Sequence, residues 1–147
     1  MSEERTPIIK AVRDFIKECP YLDAFHKGIG VDYLAEDDTA YMIESVPADP
    51  VIKSYTGGSS VRQFVFVFAS REAYGSDVLQ NIENSGFFED FAEWLEEQAL
   101  EGNLPDLGPK RTARSIKAST LPYVFDNEAH KAQYQIQCQL KYFQEKF

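Results

Sequence analysis

Histidine, cysteine and methionine occur only twice each in this 147-residue chain, and tryptophan once. His26 and His130 each stand beside a lysine in loop-like surroundings, and no GxSxG, P-loop, GxGxxG or HExxH pattern occurs. Both histidines read as solvated surface residues, and acyl transfer finds no local nucleophile and base. No catalytic residue is assigned. Cys19 and Cys138 lie far apart and match no CxxC or Cys/His spacing, which excludes a disulfide framework and a zinc finger and suits a reducing compartment. No apolar run approaches the roughly 20 residues of a membrane span, and the opening MSEERTPIIK carries charges where a signal peptide has its apolar stretch. The expectation is a cytoplasmic protein with no membrane partner.

Lysine and arginine are missing from one long stretch. Residues 72–109 hold none, yet carry ten acids: Glu72, Asp77, Glu83, Glu89, Asp90, Glu93, Glu96, Glu97, Glu101 and Asp106. They account for the formal net charge of −9, because the segment that follows is basic. Tight binding to nucleic-acid phosphates needs clustered cations, which this balance disfavours. A chain acidic in the middle and basic near its end instead suits head-to-tail contact between copies.

What is present is an ordinary globular composition, 44% hydrophobic and 14% aromatic, enough for one core without staples. Thr6 as cap, Pro7 at the first helical position and the spacing of Ile8, Ile9, Val12, Phe15, Ile16 and Cys19 predict an N-terminal helix within residues 1–20, stopped by Pro20. Residues 29–35 alternate, and after Glu36, Asp37 and Asp38 a second strand runs from Ala40 to Val46, a pattern that predicts a hairpin. Pro47 to Pro50 breaks pairing, residues 51–56 can extend, and Gly57, Gly58, Ser59 and Ser60 reverse the chain, so 47–60 is expected to project as a loop or loose hairpin.

The run VRQFVFVFAS, residues 61–70, is apolar on both faces and predicts a central strand. A helix is expected from about Ser76, interrupted by Asn84, Ser85 and Gly86, resuming with Phe88, Phe91, Ala92, Leu95 and Ala99 and ending at Gly102. Two strands follow, about 112–121 and 131–143, with Pro122, Asp126 and Asn127 marking the turn between them. In the second, Tyr134, Ile136, Cys138, Leu140 and Tyr142 alternate with Gln133, Gln135, Gln137, Gln139 and Lys141, so one face packs and the other stays wet or meets a partner. The order α-β-β-β-α-β-β predicts a single α+β domain over 1–147, an antiparallel or mixed sheet covered on one face by helices. Val65, Phe66, Phe91, Leu95, Ile136 and Leu140 are its expected core.

Glu89, Glu93 and Glu97 fall at i, i+4 and i+8 on one helix face. A ladder of like charges is unfavourable unless something cationic meets it. Three readings remain: a solvated face, a face for the basic strip Lys110, Arg111, Arg114 and Lys117 of a neighbouring copy, or an oxygen-ligand metal site. The last lacks an EF-hand loop or a facing Glu-x-x-His pair, and no metal or cofactor is expected. Trp94 stands off the stripe of Phe88, Phe91 and Leu95, so it caps the core edge or anchors an interface, with the interface favoured. Cys138 reads as a small core hydrophobe. A small-molecule site under the long helix near Tyr41, Tyr55 and Tyr123 is the alternative from another class.

Three stretches carry more: SVPADPVIKSYTGGSSVRQFVFVFASREAYG, SDVLQNIENSGFFEDFAEWLEE and YQIQCQLKYFQE, with GNLPDLG and RTARSIKA between them. From about Ile29 to the end they resemble the minor capsid or tail terminator proteins of prophages and tailed phages of Gram-positive bacteria. The resemblance implies a structural, non-enzymatic protein with a terminator-like fold. It implies a hexameric ring that caps the tail tube and joins it to the head connector, with the tail tube protein, connector proteins and other copies of itself as partners. It places the chain in the host cytoplasm during assembly and then at the head–tail junction of the virion, with DNA passing through unbound. The loop containing Asp49, Lys53, Tyr55, Gly57 and Gly58 would point to the lumen or tube. A head–tail connector or head-completion protein of related fold shares most of these features.

Overall fold

The first helix begins one residue later than its spacing suggests. Pro7 has an extended ψ of 137° and its carbonyl accepts the Lys10 and Ala11 N–H groups at 3.0 and 3.2 Å, so it is the cap and α1 runs Ile8–Ile16. The computed structural model describes residues 7–22, 29–31, 40–73, 78–128 and 131–147; the proposed Thr6 cap lies outside them. Ala11, Val12, Phe15 and Ile16 are the buried face of α1. Beyond Ile16 the chain turns, with the Cys19 N–H donating to the Ile16 carbonyl at 2.9 Å.

Two 14-residue strands, β4 (Ser60–Ala73) and β7 (Lys131–Gln144), pair antiparallel along their whole length, from Ser60 opposite Gln144 to Ala73 opposite Lys131. Each has its other edge shared by two short strands. Along β4 lie β2 (Ala40–Ser45), opposite residues 66–71, and β3 (Val51–Ser54), opposite residues 60–62. Along β7 lie β5 (Arg111–Ala118) and β6 (Tyr123–Glu128), opposite its C-terminal and N-terminal halves. With β1 (Ile29–Val31) outside β2, five of the seven strands run in the order β1-β2-β4-β7-β5, and β3 and β6 sit off this path on β4 and β7. The doubly apolar run is therefore a central strand, as its composition requires.

Three expectations change. First, β1 pairs with β2 in parallel, Ile29 opposite Tyr41, so the two are not the arms of a hairpin. Alternation reports which face a residue occupies, whereas strand direction is decided by the hydrogen-bond ladder. The presumed turn at 36–38 lies outside the described residues. Second, Asp126 and Asn127 belong to β6, a strand in its own right with a bulge between Val124 and Asp126. An edge strand bonded on one side tolerates both the bulge and turn-forming residues. Third, the 47–60 segment takes the hairpin form of its two expected alternatives, residues 51–54 pairing antiparallel with β4 as a strand of their own, so that with β6 the order is α-β-β-β-β-α-β-β-β in place of α-β-β-β-α-β-β.

The second helix, α2 (Val78–Glu101), is continuous through Asn84, Ser85 and Gly86. One interior glycine costs a helix about 1 kcal/mol, and the burial of Phe88, Phe91, Trp94 and Leu95 outweighs it. Its expected start near Ser76 lies outside the described residues. Gly102, at φ 81°, ends it, the left-handed conformation that glycine adopts freely.

Both helices pack on the sheet face formed by Tyr41, Ile43, Phe66, Phe68, Ile116, Tyr134, Ile136, Cys138 and Leu140. Rings thread the layers together: Tyr41 stacks on Phe68 at 5.6 Å, Phe68 on Phe91 at 4.5 Å, Phe91 on Trp94 at 6.2 Å, and Trp94 against Phe15 at 5.1 Å. Of the expected core, Phe66, Phe91, Leu95, Ile136 and Leu140 are at most 1% exposed. Val65 is only half-buried, because it pairs with Gln139 on the opposite face of the sheet.

Candidate functional site

The acidic helix and the basic strand meet within one chain. α2 approaches β5 more closely than it approaches β7, which the small side chains Ala92, Ala99, Ser115 and Ala118 permit. Between them runs an open groove of about 480 Å³, with Glu93 and Glu96 on the helix side and Arg114 and Lys117 on the strand side. Among the described residues no ion pair joins the two rows. Arg114 instead stands over the ring of Phe143, 5.1 Å from its centroid. Glu89 and Glu97 are exposed further along α2.

Lys110 precedes the strand with φ 67°, a left-handed turn unusual outside glycine that swings the chain into β5. Its carbonyl accepts the Glu145 N–H at 2.8 Å and the Gln144 side-chain amide at 3.3 Å, which ties the turn to the end of β7. Arg111 opens β5 directly after it.

Trp94 is not part of that surface. It is 7% exposed and lies between Phe15 and Phe91. Three residues beyond Phe91, it falls on the flank of the apolar stripe that α1 covers. The interface reading gives way to a core one, since an isolated helix pattern cannot show that a second helix packs on that flank.

The 47–60 segment is a built arm. The Tyr55 N–H donates to the Ser59 carbonyl at 2.9 Å and the Gly58 N–H to the Tyr55 carbonyl at 3.0 Å. Gly58 has φ 98°, and a Cβ there would come within 3.1 Å of Lys146. Asp49 Oδ1 accepts the Val51 N–H at 3.1 Å, and the Asp49 carbonyl accepts the Gln63 amide at 2.7 Å. The Lys53 ammonium stands 5.2 Å from the Tyr55 ring centroid. Asp49, Lys53, Tyr55, Gly57 and Gly58 are all exposed.

The second sheet face is less wet than its glutamine row suggests. Gln135 is 5% exposed, donating to the Tyr123 hydroxyl at 2.7 Å and accepting from Gln133 at 2.9 Å. Gln139 donates to Gln63 at 2.6 Å, completing an amide relay that pins the Asp49 loop to β7. The spacing gives the row's face, but not that Gln63 lies across from it. Tyr41, Tyr55 and Tyr123 do not converge: Tyr41 is in the core, Tyr55 on the arm and Tyr123 on the glutamine face.

Cys138 is fully buried and Cys19 nearly so. Burial pushes both thiols up from their ordinary value, Cys138 far up, so neither is a ready nucleophile. His26 and His130 lie outside the described residues. Among the described residues no three His, Cys, Asp or Glu side chains converge as metal ligands, and no helix is long and apolar enough to cross a membrane. No model of a known family matches the chain, and no curated protein does.

Proposed function

We propose that this chain is a ring-forming structural protein of a tailed phage, of the tail terminator kind, whose copies associate head to tail. The observation that carries the reading is an exposed acidic row on α2 running beside Arg114 and Lys117 of the edge strand β5, with no ion pair among the described residues joining them across the groove. Each row can meet charge of opposite sign on another copy, and where the two copies use different patches the contact repeats by rotation and closes a ring. The arm at 47–60, on which Asp49, Lys53, Tyr55, Gly57 and Gly58 are exposed, supports a second contact, toward the tube or its lumen.

The test is assembly. Light scattering and negative-stain imaging of the purified protein, alone and with tail tubes of the phage that encodes it, are expected to show closed rings at tube ends. A protein that stays monomeric alone and leaves tube ends bare refutes the reading.

A further inference from the structure

Both helices pack on one face of the sheet, and no described helix lies over the other. Strand alternation sets Val65 of β4, Gln139 of β7 and Lys117 of β5 side by side on that open face, with Lys141 the next open-face residue along β7. A trough of about 450 Å³ is set into it, floored by Val65, Gln137 and Gln139 and walled by Pro47 and Ala48 on one side and by Lys117 and Ser119 on the other. Arg114 leans over the same face, its guanidinium 5.1 Å from the centroid of the Phe143 ring. The described acids of this face stand at its margins: Glu44 on β2, Asp49 with its carboxylate on the Val51 N–H, and Glu145 past the end of β7. Among the described residues no ion pair reaches Lys117 or Lys141.

The far side of the molecule is the outer face of α2. Burying Phe88, Phe91 and Leu95 turns Glu89, Glu93, Glu97 and Leu100 away from the sheet, and all four are exposed. No Lys or Arg lies between residues 72 and 109, so the charge there is of one sign. Among these acids Leu100 is 83% exposed, a large apolar side chain held in water. We propose that the outer face of α2 in one copy docks on the open sheet face of the next, with Leu100 entering the trough over Val65 and with Glu93 and Glu97 meeting Lys117 and Lys141. The proposal rests on the ring reading above and names the two patches that form its contact.

Charge and spacing select the occupant. Two α2 faces brought together would set acid against acid, and two open faces would set Lys117 and Lys141 against their own copies, so the unlike pairing is the favoured one. Glu93 and Glu97 are one helical turn apart, about 6 Å along the axis. Lys117 lies opposite Gln139, which makes Lys141 its diagonal neighbour at about 7 to 8 Å, a span that two carboxylates one turn apart can match. An apolar side chain seated in a pocket within a polar rim is the arrangement that concentrates binding energy, and Leu100 with Val65, Pro47 and Ala48 supplies it. The two patches lie on opposite sides of the molecule, with the sheet between them. The contact is therefore head to tail and repeats from copy to copy.

A charge swap tests the contact. Lys117→Glu with Lys141→Glu, Glu93→Lys with Glu97→Lys, and the variant carrying all four changes are compared with the parent by light scattering and negative-stain imaging, alone and on tail tubes, with circular dichroism to check the fold. Each pair is expected to weaken assembly several-fold, and the fourfold variant, in which both patches are reversed, to recover most of it. Lys141 is the discriminating residue, because it sits on a central strand away from the groove between α2 and β5. Parental assembly in the lysine pair, or no recovery in a folded fourfold variant, overturns this contact and leaves the ring reading standing. A parent that never assembles overturns both. Should a lysine reversal unfold the protein, Leu100→Ser at an exposed position decides: weakened assembly supports the contact and unchanged assembly overturns it.

Discussion

Trp94 and Cys138 show how a side chain's surroundings, more than its type, decide its role. Trp94 bridges the two helices between Phe15 and Phe91, so Trp94→Ala should cost about 3 to 5 kcal/mol in denaturant unfolding; an interface role alone would leave stability nearly unchanged. Cys138 has its thiol pushed far up by burial alone, from an ordinary value of 9.0. The unfolded thiol ionises near pH 9 while the folded one stays protonated. The stabilisation is therefore complete below pH 9 and lost as pH rises from there toward the folded value. Its slope reaches about 1.4 kcal/mol per pH unit for one group. Cys138→Ala should lower stability at neutral pH yet flatten the decline above pH 9, as measured by urea unfolding across pH 7 to 11; an unchanged slope would mean the decline comes from other groups.

Among the elements, α2 is the least expected, because it carries Asn84, Ser85 and Gly86 without breaking. A Cβ at Gly86 would meet nothing within 4 Å. Gly86→Ala should therefore raise stability by about 0.5 to 1 kcal/mol through backbone entropy and helix propensity. The same substitution at Gly58 should destabilise, since φ 98° and the nearby Lys146 both oppose a side chain. Thermal unfolding of the two variants checks the pair of signs, and a destabilised Gly86→Ala would mean that α2 is hinged there. The short strands β3 and β6 obey a related logic: each borrows order from a long neighbour, β4 or β7, and neither has a pattern strong enough to stand alone.

At the scale of the whole molecule, charge is sorted along the chain and then brought back together, because α2 and β5 are consecutive and pack side by side. Exposed charges are screened beyond a Debye length of about 8 Å at physiological ionic strength. If copies associate through the α2 acids and the β5 cations, assembly should weaken as salt rises. Glu93→Lys with Glu97→Lys should impair it while the fold persists, since surface substitutions of this kind change stability by under about 0.5 kcal/mol. Circular dichroism checks the fold and light scattering the mass. Assembly equal to the parent's at low and high salt would leave the α2 acids a solvated face.

The buried faces of the elements are legible in the local pattern of residues. Strict alternation from Gln133 to Tyr142 identified the buried side of β7, the doubly apolar 64–68 run marked the sheet's centre, and the spacing of Phe88, Phe91 and Leu95 aimed α2 at the core. These are local periodicities, legible because an element buries one side regardless of what it meets. Partners emerge only in the folded chain: the parallel direction of β1, the pairing of β6, the side of α2 that receives Trp94, and the placing of Glu93 and Arg114 along one groove. Each of those depends on contacts between residues distant along the chain, and pairing energies of that range leave no period in the sequence.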